Sequence, residues 1–173
     1  MVSLSATFII FVIFFAFIGA VRGWAKETLV TFSMILGLFF FSLFNRSEPF
    51  ALLFGELGPS TRFTAQAIYI AFFAVIGYAG PALSGIVKTR AARERLGDIL
   101  LGCITGAING YLIVGSMLYY LHEAQYPFEP YIRAPEDPLY IDLITKLAPA
   151  LLKPSWLSGL VGLSLLIVLV VFV

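Results

Sequence analysis

The chain has 173 residues, of which 60% are hydrophobic and only 12% charged, and its formal net charge is +1. An ordinary soluble domain carries roughly 25% charged residues, so this chain has too little charge to cover a water-facing surface. The small net charge gives no reason to expect nucleic acid as a partner, and the lone cysteine, Cys103, excludes an internal disulfide. The composition predicts an integral membrane protein whose first partner is the lipid bilayer.

The predicted membrane spans are five stretches without charged side chains, each close to the roughly 20 residues that cross a hydrocarbon core. Lipid-facing backbone amides must be satisfied within their own segment, so we predict α-helices rather than β-strands. The expected fold class is an all-α polytopic membrane helix bundle with four transmembrane helices. A fifth, C-terminal run either spans or lies against the bundle. The predicted spans run roughly over Leu4–Val21, Thr28–Phe44, Thr64–Ile86, Asp98–Leu121 and Trp156–Val173, and the fourth begins at the charged Asp98 just before its uncharged stretch.

These runs divide the chain into three predicted parts. Residues 1–121 form a four-helix membrane core, 122–155 an extramembrane loop rich in proline and acidic residues, and 156–173 an apolar helix. The first run has no Lys or Arg before it and no cleavage pattern after it, so we predict a retained span rather than a signal peptide. Within the loop, apolar residues at helical spacing predict one amphipathic helix over Leu139–Leu152 in the membrane interface.

The orientation follows from the Lys and Arg residues of the connecting segments. Six of them lie in the hinge after the first run and in the basic segment after the third, and both segments fall on the same side. Short loops rich in Lys and Arg stay in the cytoplasm. We therefore predict a bacterial inner (plasma) membrane protein with cytoplasmic basic loops and an external N-terminus. The six residues are Arg22, Lys26, Lys88, Arg90, Arg93 and Arg95.

The fourth run carries a glycine face formed by Gly102, Gly106 and Gly110. Residues four apart share one side of a helix, so these glycines leave a groove in which a neighbouring backbone can approach closely. Packing within the chain and self-association of two chains both fit this pattern. Asn109 lies in the same run, and a buried amide in a membrane helix usually forms an interhelical hydrogen bond.

A polar hinge, Arg22 to Glu27, joins the first two runs into an antiparallel helical hairpin. Its basic residues fit an anchor for anionic lipid headgroups, and Glu27 complements the dipole of the second helix. Alternatively, Arg22 and Glu27 form a charge pair that fixes the hairpin. A catalytic or transport role fits less well than either.

The sequence offers no catalytic constellation, and we expect no enzymatic activity, cofactor or metal. The lone histidine, His122, stands beside one carboxylate at the end of the fourth run, which is a poor metal site. No run carries a charged residue at its centre, which argues against an ion-coupled transporter.

Two blocks of this sequence form motifs. Arg22-Gly23-x-x-Lys26-Glu27 follows the first span, and Asp98-x-x-Leu101-Gly102, continued by Gly106-Ala107-x-x-Gly110-x-Leu112-Ile113-Val114, lies in the fourth. The first block is similar to the RGxx(K/R)E signature after the first span of the colicin V production protein (CvpA) family, and the second resembles that family's fourth-helix motif. The chain has Ile99 and Asn109 where the family often has arginine, and its tail from Trp156 extends beyond the usual four-helix core.

The resemblance implies a non-enzymatic bacterial inner-membrane protein with a role in colicin V-type toxin production or export, or in envelope assembly. Its expected working surfaces are the glycine face and the acidic outer loop. An accessory subunit of a larger membrane complex is a second hypothesis. A small oligomeric channel or carrier is a third, with Asn109, Thr105 and Ser116 as the candidate pore lining.

Overall fold

A computed structural model describes residues 3–84, 95–128, 131–132, 134–135, 138–152 and 154–172. Within these ranges the chain is α-helical without strands, as the sequence predicted. Most of the basic segment, Lys88 to Arg93, lies outside the described residues. In chain order the helices are α1 (Leu4–Arg22), α2 (Trp24–Phe44), α3 (Glu48–Glu56), α4 (Pro59–Ser84), α5 (Arg95–Glu123), α6 (Pro138–Thr145), α7 (Ala148–Leu151) and α8 (Pro154–Phe172).

Four of these helices, α1, α2, α4 and α5, are long and apolar enough to cross a membrane. They correspond to the first four predicted spans, although α4 begins at Pro59 rather than near Thr64. The C-terminal run forms α8, a shorter apolar helix. The chain is therefore a polytopic membrane helix bundle.

Helix α5 is the central helix on which the first two helices meet. Gly19 of α1 lies beside Gly102, and Phe8 lies beside Gly115, so α1 runs antiparallel to α5. The second helix runs parallel to α5, because its start contacts Asp98 and its Phe41 contacts Tyr120 near the end of α5. The first two helices form an antiparallel hairpin by topology, yet each packs mainly against α5 or other helices rather than against its sequence neighbour.

The fourth helix packs against α2 in the opposite direction. Ser33 Oγ donates to the carbonyl oxygen of Phe73 at 2.6 Å, and the Tyr69 hydroxyl donates to the carbonyl oxygen of Gly37 at 2.8 Å. Two side chains thus satisfy backbone carbonyls across the α2–α4 contact. The main apolar core fills the space between α2, α4 and α5 and includes Val30, Met34, Ile70 and Leu112.

The prediction of one amphipathic helix over Leu139–Leu152 is wrong. The segment forms two short helices, α6 and α7, which are separated at Lys146 and Leu147. Pro149 lies in the first turn of α7, where a missing N–H is tolerated. In one continuous helix its ring would clash with the carbonyl of Thr145 four residues earlier, so the helix must break before it.

The face predicted for this segment is nevertheless largely buried. Tyr140, Ile144 and Leu147 pack against the end of the bundle beside Phe8 and Leu118, in a second apolar cluster. Leu151, the last residue of the predicted stripe, is exposed instead. The segment therefore covers one end of α1 and α5.

Candidate functional site

The glycine face of α5 is occupied by α1 of the same chain. A side chain at Gly102 would collide with the carbonyl oxygen of Gly19, and one at Gly106 would place its Cβ 2.9 Å from the Cα of Gly19. At Gly110 an added Cβ would lie 2.9 Å from the Cβ of Phe15. Two helix backbones approach this closely only where side chains are absent, so the three glycines set the distance between α1 and α5.

Gly23 is the whole connection between α1 and α2, which shortens the predicted six-residue hinge to a single residue. Its backbone has φ 86° and ψ 151°, a region that essentially only glycine occupies. Asp98 of α5 reaches this turn, and its Oδ1 accepts a hydrogen bond of 3.2 Å from the backbone N–H of Trp24. Because Gly23 has no side chain, Asp98 supplies the cap for the start of α2 from another helix.

Glu27 lies in the first turn of α2, and its side chain is completely buried. The predicted polar hinge included Glu27, whereas the structure places Glu27 in α2. Its Oε1 forms an ion pair with Arg22 Nε at 2.9 Å, and its Oε2 accepts a hydrogen bond of 2.8 Å from Asn109 Nδ2. An unpaired carboxylate at such a site would be very costly, so these partners are what allow Glu27 to be buried.

Asn109 joins α5 to α2 through both ends of its amide. Its Nδ2 also donates to the backbone carbonyl of Glu27 at 3.0 Å, and its Oδ1 accepts from Thr31 Oγ1 at 2.7 Å. The side chain is fully buried and uses both its donor and its acceptor. This is the interhelical hydrogen bonding that a buried amide in a membrane helix requires.

Tyr78 closes the cluster from α4. Its hydroxyl lies 3.4 Å from Glu27 Oε2, and the guanidinium carbon of Arg22 lies 4.4 Å from the centre of its ring. The ring thus stacks on the cation while its hydroxyl faces the anion. We call Arg22, Glu27, Thr31, Tyr78 and Asn109 the polar junction. It joins α1, α2, α4 and α5 at the end of the bundle where Gly23 lies.

The polar junction leaves few polar groups that could bind or react with an external substrate. Each carboxylate oxygen of Glu27 has a polar partner within the chain, and the Asn109 amide is bonded at both ends. A general base or a proton relay needs an acceptor that a substrate or water can reach. The arrangement is suited to holding four helices in register.

The remaining predicted residues lie outside this cluster. Lys26 is partly buried and forms no ion pair among the described residues. His122 is at the opposite end of α5, where its Nδ1 lies 3.0 Å from the Tyr126 hydroxyl. Burial raises the pKa of Tyr126 and of its neighbour Tyr140, so both phenols stay protonated. Within the described ranges no group of three His, Cys, Asp or Glu side chains is placed to hold a metal ion.

Sequence reasoning missed three residues of this region. Thr31 lies four residues after Glu27 and so on the same face of α2, which is a signal that was available. Gly19 and Tyr78 gave no comparable signal, because their roles depend on how α1 and α4 pack. Gln66, near the start of α4, is a further polar side chain that is buried within the bundle.

Comparison with known proteins places the chain in a family. The sequence model of the colicin V production protein family matches residues 4–134, which include α1 to α5 and every residue of the polar junction. No curated protein sequence and no solved structure shows a significant match to the chain. The matched region covers most of the chain and contains both blocks that carried the resemblance. The chain is a membrane protein that belongs to the colicin V production protein family.

Proposed function

We propose that this protein is a non-enzymatic bacterial inner-membrane protein that assists the production or export of a colicin V-type peptide toxin, or the assembly of other envelope components. Family membership over residues 4–134 supports the cellular role. One observation carries the mechanism. Arg22 and Asn109, which stands where the family often has arginine, both bind Glu27 inside the chain, so these residues of the motif blocks hold helices together instead of facing a substrate.

The proposed partners are the bilayer and other membrane proteins. The glycine face is a predicted working surface, but α1 covers it. The outward face of α1, with Ile10, Phe14 and Phe17, is largely exposed and is available to lipid or to a partner helix. Self-association through the glycine face is not favoured, because α1 would first have to leave α5.

The proposed orientation follows the distribution of basic residues. The short connection at Gly23 and the start of α5 lie at the same end of the bundle, since Asp98 contacts Trp24. The segment between α4 and α5 carries Lys88, Arg90 and Arg93, and α5 begins with Arg95. The positive-inside tendency favours a cytoplasmic location for this end and an external N-terminus.

The experiment for this proposal is complementation of a host strain that lacks the gene. Loss of the chain should reduce the toxin found in the medium or raise the sensitivity of the envelope to detergent. The wild-type gene should restore the phenotype, and so should Asp142→Asn, which changes an exposed ion pair with Lys146. Arg22→Met should fail to restore it, because it opens the polar junction. Normal toxin release and normal envelope resistance in the deletion strain would contradict the proposal.

An accessory subunit of a larger membrane complex is the second candidate, and α8 favours it. This helix packs mainly against α2 and leaves Leu163, Leu166 and Val170 exposed. Purification in a mild detergent should then recover companion chains in fixed ratio with the full-length protein. Deletion of residues 154–173 should release those companions while the rest of the chain stays folded. Companions that remain bound after the deletion would count against a role for α8.

A channel or carrier has the least support. Asn109 and Ser116 are buried inside the chain, and the Thr105 hydroxyl donates to the carbonyl oxygen of Leu101 in its own helix at 2.8 Å. These candidate pore-lining groups are occupied by internal contacts or enclosed by packing.

A further inference from the structure

A cavity of about 290 Å³ lies at the end of the bundle opposite Gly23. Its walls come from the last two turns of α2, the last turn of α5, the short helix α7 and the beginning of α8. It shares no residue with the polar junction. A water molecule takes up roughly 30 Å³ in the liquid, so the cavity is several water molecules in size. A small polar headgroup has a similar size.

The polar wall of the cavity includes an acidic group with an incomplete ion pair. Glu123 is the one charged residue among the described residues that line the cavity. Its Oε1 lies 3.8 Å from Arg62 Nη2, which is longer than the roughly 2.7–2.9 Å of a strong charge-assisted hydrogen bond. The Glu123 side chain is 39% exposed, so its carboxylate can accept a further donor.

Tyr120 supplies a second polar group without a partner. This residue lines the cavity and is only 4% exposed, yet its hydroxyl makes no hydrogen bond within the described part of the chain. The hydroxyl oxygen is accessible rather than enclosed, so an occupant of the cavity can reach it. A ligand in the cavity would provide the missing partner.

The charge around the cavity is mixed. Both α2 and α5 end here, at Phe44 and Glu123, with the partial negative charge of helix C-termini, whereas α7 and α8 begin here with the partial positive charge of helix N-termini. The Glu123 carboxylate adds a full negative charge. Arg62 stands beside that carboxylate, outside the lining residues, and provides one positive charge. A group with a cationic end and an adjacent anionic centre therefore matches the cavity better than a simple anion.

The other wall is apolar. Leu38, Phe41 and Leu157 line it, and all three are buried in the bundle. Since the cavity lies at the last turns of two membrane-spanning helices, it lies at the depth where headgroups join acyl chains. An occupant that fits both walls is amphipathic and belongs to the bilayer.

We propose that this cavity binds a phospholipid with a zwitterionic phosphoethanolamine headgroup. The ammonium donates hydrogen bonds to the Glu123 carboxylate and the Tyr120 hydroxyl, and the phosphate lies beside Arg62. Leu38 and Leu157 contact the glycerol and the first carbons of the acyl chains. This site is independent of the proposed role in toxin export or envelope assembly, so either assignment can fail without the other.

The test uses the full-length protein in nanodiscs that contain equal amounts of phosphatidylethanolamine and phosphatidylglycerol with identical acyl chains. Lipids retained by the protein are counted by native mass spectrometry. We expect the wild-type protein to retain phosphatidylethanolamine in about tenfold excess, the ratio expected when one charge-assisted hydrogen bond is gained. Glu123→Gln should reduce that preference about fivefold, and Tyr120→Phe about threefold.

Asp142→Asn is the matched control, because Asp142 is an exposed acid at the same end of the molecule that does not line the cavity. It should retain the wild-type preference. Tyr120→Phe removes one oxygen and keeps the ring packing, so it tests the site even if Glu123→Gln fails to fold. Equal retention of the two lipids by the wild-type protein would overturn the assignment. So would an unchanged preference in a folded Tyr120→Phe protein.

Discussion

The two ends of this bundle are built by opposite means. At the Gly23 end, glycines bring α1 and α5 into backbone contact, and the polar junction pairs the fully buried Glu27 carboxylate with Arg22 and Asn109. At the other end, α2, α5, α7 and α8 surround a cavity of about 290 Å³, and the Tyr120 hydroxyl has no hydrogen-bond partner among the described residues. One end is closed and the other leaves space.

This difference shows how the chain separates stability from interaction. Interhelical hydrogen bonds and glycine contacts provide the attraction between membrane helices that the apolar lipid does not supply. Concentrating them at the Gly23 end fixes the relative positions of α1, α2, α4 and α5. The opposite end can then keep an open cavity between its helices. Substitutions should therefore have much larger effects on stability at the closed end than at the open end.

Gly106→Leu should break the closed end most severely. The new side chain would overlap the carbonyl oxygen of Phe15, and backbone atoms cannot move aside without separating α1 from α5. We expect a loss of about 4 kcal/mol or more in unfolding free energy, at or above the upper range for overpacked cores. Steric-trap unfolding in bicelles measures the loss. Gly162→Leu is the control, because an added Cβ at Gly162 meets nothing within 4 Å. Equal losses in both variants would refute close packing of α1 on α5.

Gly23→Ala should have the next largest effect. An alanine at φ 86° and ψ 151° is strained, and its Cβ would lie 2.8 Å from Asp98 Oδ2. We expect a cost of about 2 kcal/mol in the same unfolding assay, within the range for a residue forced into a glycine-only region. Gly58→Ala, at a position with open space around it, should change the unfolding free energy little. A Gly23→Ala protein as stable as the Gly58→Ala protein would show that the turn does not need glycine.

Asp98→Asn sharpens the account of the cap on α2. The asparagine keeps an oxygen that accepts from the Trp24 N–H, but it loses the negative charge beside the positive end of the α2 dipole. The expected loss is about 0.5 kcal/mol. Asp98→Ala removes both contributions and should cost about 1 kcal/mol more. If asparagine and alanine cost the same, the hydrogen bond contributes nothing to stability.

Ala150→Leu tests the open end and should have the smallest effect. Ala150 lines the cavity and is exposed, so a larger side chain can enter existing space. We expect a change within about 0.5 kcal/mol, the usual range for a surface substitution. A loss as large as that of Gly106→Leu would erase the contrast between the two ends.

The sequence predicted the parts of this structure that depend on local patterns. Uncharged runs of membrane-spanning length located α1, α2, α4 and α5, because a lipid environment leaves an apolar segment few alternatives to a helix. The two motif blocks identified the family that the match over residues 4–134 supports. Pairing of Arg22 with Glu27 was one of the interpretations left open, since the residues are close in sequence. The division into three parts stays a prediction.

The rest depended on contacts between distant residues. Tyr78 contacts Glu27 from another helix, and the two residues are 51 positions apart in the chain. No local pattern indicates such a contact. The apolar residues from Tyr140 to Leu151 recur at helical spacing and so predicted one helix. That prediction did not take into account that Pro149 breaks the helix. The cavity could not be predicted, since its walls come from four separate helices. Sequence patterns located the membrane-spanning helices but did not show how the helices meet.

The most direct test of the central claim is whether Glu27→Gln rescues Arg22→Met. The claim is that the motif residues form a buried network in which the Arg22 cation neutralises the Glu27 carboxylate. Arg22→Met leaves that carboxylate buried without its ion pair and should cost about 3 kcal/mol of unfolding free energy in bicelles. Glu27→Gln should destabilise the wild-type protein, but it should stabilise the Arg22→Met protein by removing the uncompensated charge. If Glu27→Gln has the same cost in both backgrounds, the two side chains are not coupled and the account of the polar junction is wrong.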